Sequence, residues 1–129
     1  MLFRSTSSTA GLLAIPNMAH YVSAKHGVVG LMRTLALELA PHFIRVNSVH
    51  PTGVDTPMVQ NDASMRLFLP DVENPTAEQY AEVMGSLNAL PIPWVEAADI
   101  SNAVLFLAPD EARYIGRVPL PVDAGSVTK

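Results

Sequence analysis

The chain of 129 residues contains no cysteine, which excludes a disulfide framework, a thiolate nucleophile and a cysteine-ligated metal, and fits a reducing, cytoplasmic address. It has little positive charge: eight Lys and Arg against twelve Asp and Glu leave a net charge of −4 with no basic cluster. Neither nucleic acid nor an anionic membrane surface is therefore an expected partner. A membrane-spanning run is missing as well, because Lys25, Arg33 and Glu38 interrupt the longest apolar stretch before it reaches the ~18 to 20 residues a span requires. Met1 to Thr6 has neither a basic stretch leading into an apolar one nor a cleavage site, so no export signal is expected. His20, His26, His42 and His50 share no ligand spacing; they read as surface or core histidines, and no metal is expected. Repeats and low-complexity segments are absent too.

What is present is a foldable composition. A hydrophobic content of 49% with 16% charged residues is that of a globular protein, and the length suits one domain over residues 1–129. Tyr21 to Ala40 is rich in Ala, Leu, Val and Met and closes at Pro41, which predicts one long helix. Its apolar positions run nearly all the way round, predicting burial on more than one side, and Gly27 and Gly30 predict close approach by another backbone. Ile44 to His50 is a short β-branched run ended by Pro51 and Gly53 and reads as a strand. Helix, short link and strand form the αβ half of a βαβ unit, so the expected class is α/β with a parallel sheet.

Residues Thr56 to Pro75 mix apolar side chains with Asn, Asp and Pro, the composition of a flap, and a substrate lid is expected over 57–90. Within it Thr76 and Gln79 match a capping box opening a helix to about Asn88. Glu96 to Leu107 predicts a further amphipathic helix, with Glu96 and Asp99 at its positive end. Val118 to Val122 reads as a last strand which Pro119 and Pro121 restrict to an edge or irregular position. Asp123 is expected to serve a structural turn.

The chemistry-bearing pattern is Tyr21 and Lys25, four apart on this helix, with Ser8 thirteen positions before the tyrosine. Positions i and i+4 share a helix face, so phenol and ammonium address one volume. A phenol is a weak base at neutral pH, and a nearby cation favours the phenolate, which makes Tyr21 a candidate general base. Ser8, chosen over Ser5, Thr6, Ser7 and Thr9 by spacing alone, could hold an alcohol or carbonyl oxygen while Tyr21 takes or gives the proton. These roles suit alcohol–ketone interconversion, and because no side chain accepts hydride, a nicotinamide must be supplied.

Ser8, Tyr21-x-x-x-Lys25, Ile44 to Pro51 (Ile-Arg-Val-Asn-Ser-Val-His-Pro) and Leu120 to Gly125 (Leu-Pro-Val-Asp-Ala-Gly) together resemble the short-chain dehydrogenase/reductase family. The branch most resembled is carveol-dehydrogenase-like and mycofactocin-dependent. The resemblance covers essentially the whole chain. It implies the C-terminal portion of a Rossmann-like, doubly wound parallel sheet and an NAD(P)-dependent oxidoreductase, NAD being favoured over NADP. An apolar secondary alcohol or its ketone is the implied substrate. It further implies that Ser8 orients the substrate oxygen, Tyr21 is the acid/base, and Lys25 binds the nicotinamide ribose hydroxyls. Pro51, Gly53, Val54 and Thr56 would line the nicotinamide end, with the Val54 backbone and Thr56 hydroxyl near the carboxamide.

Members of that family begin with a strand, a Gly-rich turn and a helix whose N-terminus receives the pyrophosphate. The seven glycines here form no G-x-G-x-x-G or G-x-x-x-G-x-G, so a truncated domain is expected, with impaired activity and exposed sheet edges prone to association. Met1 to Thr6 stands where the strand before Ser8 is expected, and Arg4 fits a buried central strand poorly. The stretch from Tyr114 to Val118 is one residue tighter than the family form, which leaves the last strand's register open. A homo-oligomer, or association with an intact relative, is expected. The alternative is a catalytically silent fragment acting as an interaction module through the Tyr21–Ala40 helix; a coding region extending upstream of Met1 is a third possibility.

Overall fold

The computed structural model describes residues 2–129. Three parallel strands form its sheet in the order β1-β2-β3: β1 (Leu2–Thr6), β2 (Arg45–Pro51) and β3 (Pro119–Val122). Four helices follow the chain order expected of α/β connections: α1 (Ala19–Glu38) between β1 and β2, then α2 (Asp62–Phe68), α3 (Ala77–Ser86) and α4 (Ala97–Leu107) before β3. Parallel pairing needs such crossovers.

The central strand β2 is buried from Val46 to Pro51, because it pairs on both edges and its β-branched residues fill the pleat. Its register runs from Leu2↔Arg45 to Thr6↔Val49 on one side and from Ser48↔Pro119 to Pro51↔Val122 on the other. Arg4 is exposed within a regular β1. The expectation that Met1 to Thr6 replaces the strand before Ser8 is thus corrected over residues 2–6. An edge strand with one open side leaves room for a charged side chain that a central strand would not.

β3 also occupies an edge, as its prolines required. The Val118 and Val122 carbonyls accept from the Ser48 and Thr52 N–H groups, so alternate backbone groups face β2. Pro119 and Pro121 fall on the other side, where no ladder donor is needed. The tight connection into β3 is absorbed at Arg117, which adopts left-handed φ of 64° and donates its N–H to the Val46 carbonyl at 2.7 Å. Asn47 completes the join, donating to the Ile115 carbonyl and accepting from the Val118 N–H.

α1 departs from expectation on its outer side. Val29 and Met32 are buried, whereas Leu31 and Leu37 are 54% and 60% exposed. A Cβ built on Gly27 or Gly30 meets nothing within 4 Å. The helix lies on the sheet by one face only, and among the described residues no element covers the other; the expected close backbone approach is not there.

α3 and α4 start as their sequences dictate. The Thr76–Gln79 capping box is formed in both directions, and Glu96 with Asp99 makes a second one at α4. Arg45 closes α4 at its other end: its guanidinium donates to the carbonyls of Leu107, Ala108, Pro109 and Ile115, where a cation meets the negative end of the helix. Asp123 holds the final turn by accepting from the Gly125 and Val127 N–H groups.

Candidate active site

The C-terminal ends of β1 and β2 converge on one corner, the place where open parallel sheets gather ligand-binding loops. β1 runs out into Ser7 and Ser8 and then a tight 3₁₀ turn, Thr9–Gly11, which sits against α1. Two contacts seat it. The Ser7 hydroxyl donates to the Lys25 carbonyl at 3.0 Å, and Gly11 lies so close that a Cβ there would stand 2.5 Å from Ser7 Oγ and 2.8 Å from the Lys25 carbonyl oxygen. Any side chain at Gly11 would push the turn off the helix.

Tyr21 and Lys25 share one face of α1, as their spacing predicts. The Lys25 ammonium stands 5.5 Å from the Tyr21 ring centroid and donates to the Thr6 carbonyl at 3.3 Å. A single cation thus touches both the phenol-bearing face of the helix and the residue two before Ser8. Among the described residues no hydrogen bond joins Ser8 to Tyr21 directly; the link runs through Thr6, Ser7 and Lys25.

Ser8 has extended backbone and caps its turn, with Oγ accepting from the Ala10 N–H at 3.1 Å. One lone pair of the hydroxyl is therefore engaged while its proton remains available to a ligand oxygen. The Ser8 carbonyl receives two donors, the Gly11 N–H at 2.9 Å and the ring of His50, whose Nδ1 lies 2.8 Å away. A carbonyl cannot donate, so Nδ1 carries the proton. Nε2 of His50 lies 2.8 Å from Ser48 Oγ, and for the neutral ring that hydroxyl must be the donor. His50 is fully buried. Burial lowers its pKa below the ordinary value, opposed by the bond to Ser8 and assisted by the Lys25 and Arg33 charges. The sequence had set His50 among surface or core histidines; its contact with Ser8, across 42 positions, follows from strand register, which no short-range spacing reveals.

After Pro51, which ends β2 beside Val122, the chain bridges to a second segment. Val95 N–H donates to the Gly53 carbonyl and Asp55 N–H to the Val95 carbonyl, both at 2.9 Å. In this parallel bridge the N–H and C=O of Val54 turn away from Val95, and the Thr56 hydroxyl donates to the Val54 carbonyl at 3.3 Å. An adjacent donor and acceptor of that kind match a carboxamide. A Cβ on Gly53 would stand 2.9 Å from Met84 Cε, the mobile end of a flexible side chain, and otherwise meet only ordinary contacts. Thr52 ties this loop to the end of α3 by donating to Asn88 Oδ1, while the Asn88 amide donates to the Ile92 carbonyl.

The segment from α2 to α3 folds over a buried Tyr80, whose ring lies 6.1 Å from that of Phe68 and 5.6 Å from that of Trp94. Its hydroxyl donates to the Val59 carbonyl at 3.2 Å, and burial raises its pKa. Met58, by contrast, is 83% exposed. Among the described residues no group of three or more His, Asp or Glu could hold a metal ion, and no helix is long and apolar enough to cross a membrane.

A family profile described as enoyl-(acyl carrier protein) reductase matches residues 5–127. A (−)-trans-carveol dehydrogenase of Rhodococcus erythropolis is 60% identical over 124 residues, covering 96% of this chain and 45% of the relative. Among solved structures, the carveol dehydrogenase of Mycobacterium avium in complex with NAD superposes with a TM-score of 0.95 at 58% identity, covering 99% of this chain and 46% of that one. A short chain dehydrogenase of Mycobacterium paratuberculosis bound to NAD gives 0.82 at 38% identity, covering 99% and 45%. The chain thus spans a little under half the length of the relatives it matches.

Proposed function

From a chain that belongs to the short-chain dehydrogenase/reductase family, we propose that this site carries the proton-transfer side of an NAD-linked oxidoreductase that interconverts an apolar secondary alcohol and its ketone. Carveol, named in the relatives at 60% and 58% identity, is the type of substrate intended. The observation that carries the proposal is the Lys25 ammonium set between the Tyr21 ring and the Thr6 carbonyl, which keeps the phenol, the cation and the Ser8 turn at one corner.

Ser8 donates its free hydroxyl proton to the substrate oxygen and fixes it. Tyr21 removes the alcohol proton during oxidation and returns it to the ketone oxygen during reduction, while the Lys25 charge stabilises the phenolate between these steps. Lys25 would also meet the nicotinamide ribose. Pro51, Gly53, Val54 and Thr56 would hold the carboxamide end, where the outward N–H and C=O of Val54 suit the group. When bound, the nicotinamide supplies the hydride chemistry. The segment 57–90 closes over the substrate as a lid, Tyr80 being the post on which it is mounted. A cytoplasmic protein that self-associates is part of the same reading.

The test is NAD binding by calorimetry together with carveol oxidation followed by NADH formation. Tyr21→Phe should lower kcat by roughly 10²- to 10⁴-fold, the span of general acid–base catalysis, with NAD affinity kept. Retained turnover in that variant, or no binding at millimolar NAD, overturns the assignment.

A further inference from the structure

The geometry points to His50 as a positioning residue: held as the Nδ1–H tautomer by the acceptor-only Ser8 carbonyl, with the Ser48 hydroxyl donating to Nε2, it fixes that carbonyl and so aims the Ser8 hydroxyl at the substrate oxygen. This rests on the role proposed for Ser8.

Three observations carry it. Ser8 stands at the junction of strand and turn, and a side chain from the central strand, His50, is hydrogen-bonded to its carbonyl. The opposite tautomer would place the Nδ1 lone pair against that carbonyl oxygen at 2.8 Å, a repulsive contact, while Nε2–H faced Ser48. The doubly protonated ring would need a charge in a fully buried place with Lys25 and Arg33 of α1 as neighbouring cations. Only the neutral Nδ1–H ring, accepting from Ser48, satisfies every atom. Ser48, His50 and Ser8 therefore form a chain of directed hydrogen bonds running from the sheet to the backbone carbonyl of the residue that carries the candidate substrate-binding hydroxyl. A buried apolar side chain would fill the same space without setting that direction.

Two isosteric changes separate the two nitrogens. In His50→Asn the amide nitrogen takes the place of Nδ1 and can still donate to Ser8; in His50→Gln the amide extends to the place of Nε2 and meets Ser48 instead. We expect His50→Gln to lose about 10- to 100-fold in kcat, the scale of a misplaced reacting group, with KM little changed, and His50→Asn to recover at least about tenfold of that loss. Ser48→Ala, which removes the donor to Nε2 while leaving His50 in place, should lower kcat by about threefold to tenfold. Nitrogen-15 NMR of the unmodified chain should show the His50 proton on Nδ1, and in Ser48→Ala the proton should stay there while the Nε2 resonance moves with the loss of its donor.

A proton on Nε2 in the unmodified chain overturns the inference whatever the kinetics. Equal kcat in the Asn and Gln variants, both folded by circular dichroism, also overturns it. If instead Tyr21→Phe retains turnover, it is the reading of the site that has failed, and the positioning role falls with it.

Discussion

A histidine enclosed by a sheet must be neutral and paired or else charged at considerable cost, and the fold resolves that choice for His50 by giving each ring nitrogen one partner of the right sense. A consequence for stability follows at the residue scale. The pKa of His50 is lowered in the folded chain, so on acidification the unfolded chain takes up the proton first. Its contribution is complete above the unfolded value of about 6.5 and is lost as pH falls from there towards the lowered folded value. Denaturant midpoints should therefore decline below about pH 6.5, and His50→Asn, which has no proton to gain there, should show a shallower decline. An equal slope in the two proteins would contradict the assignment.

At the scale of elements, local rules and tertiary context contributed unequally. The starts of α3 and α4 were legible, α3 from the Thr76–Gln79 capping box and α4 from Glu96 and Asp99 at its positive end, a pair that in the structure closes as a second box. The edge place of β3 was legible from two prolines. β1 was not, because Arg4 argues against a strand only when the strand is central, and strand order is not a local property. Gly27 and Gly30 misled for the same reason: a glycine in a helix marks permission for close approach, not its occurrence. Ser8, Tyr21 and Lys25 could be picked out by spacing, but the Thr6 carbonyl and His50 that tie them together are reached only through register. The segment 57–90, expected as a lid, joins both kinds of information. Its second helix, α3, is read from its cap, whereas α2 lies in the stretch read as a flap without a helix, and the segment's attachment depends on Tyr80, 1% exposed, with its hydroxyl on the Val59 carbonyl. Tyr80→Phe removes one of the two donors to that carbonyl, which keeps the Asn61 N–H, and preserves the ring contacts with Phe68 and Trp94. It should cost about 0.5 to 1.5 kcal/mol in denaturant unfolding and speed hydrogen exchange most in residues 57–90. A uniform change in exchange over the whole chain would show that Tyr80 does not anchor that segment in particular.

For the whole molecule, area decides the argument. The accessible surface is 7931 Å² for 13.9 kDa, where a folded monomer of that mass exposes about 6,700 Å². The excess exceeds the ~800 Å² that each partner contributes to a standard interface. Part of it lies on the outward stripe of α1, where Leu31 and Leu37 are exposed beside Gly27 and Gly30 with nothing over them, and β1 leaves a strand edge open in addition. A stripe of small and apolar residues lets two helices approach closely, so a second copy packed through α1 would cover it by symmetry. Sedimentation velocity at micromolar concentration should find the chain larger than a monomer. Leu37→Glu places like charges across that contact and should shift it to monomer. The His50 tautomer should stay as it is, because Ser8, Ser48 and His50 lie on the opposite, sheet-facing side of the helix. A monomeric wild-type chain would refute the self-association. A Leu37→Glu variant that remained associated would place the contact elsewhere, with the open edge of β1 the next surface to charge.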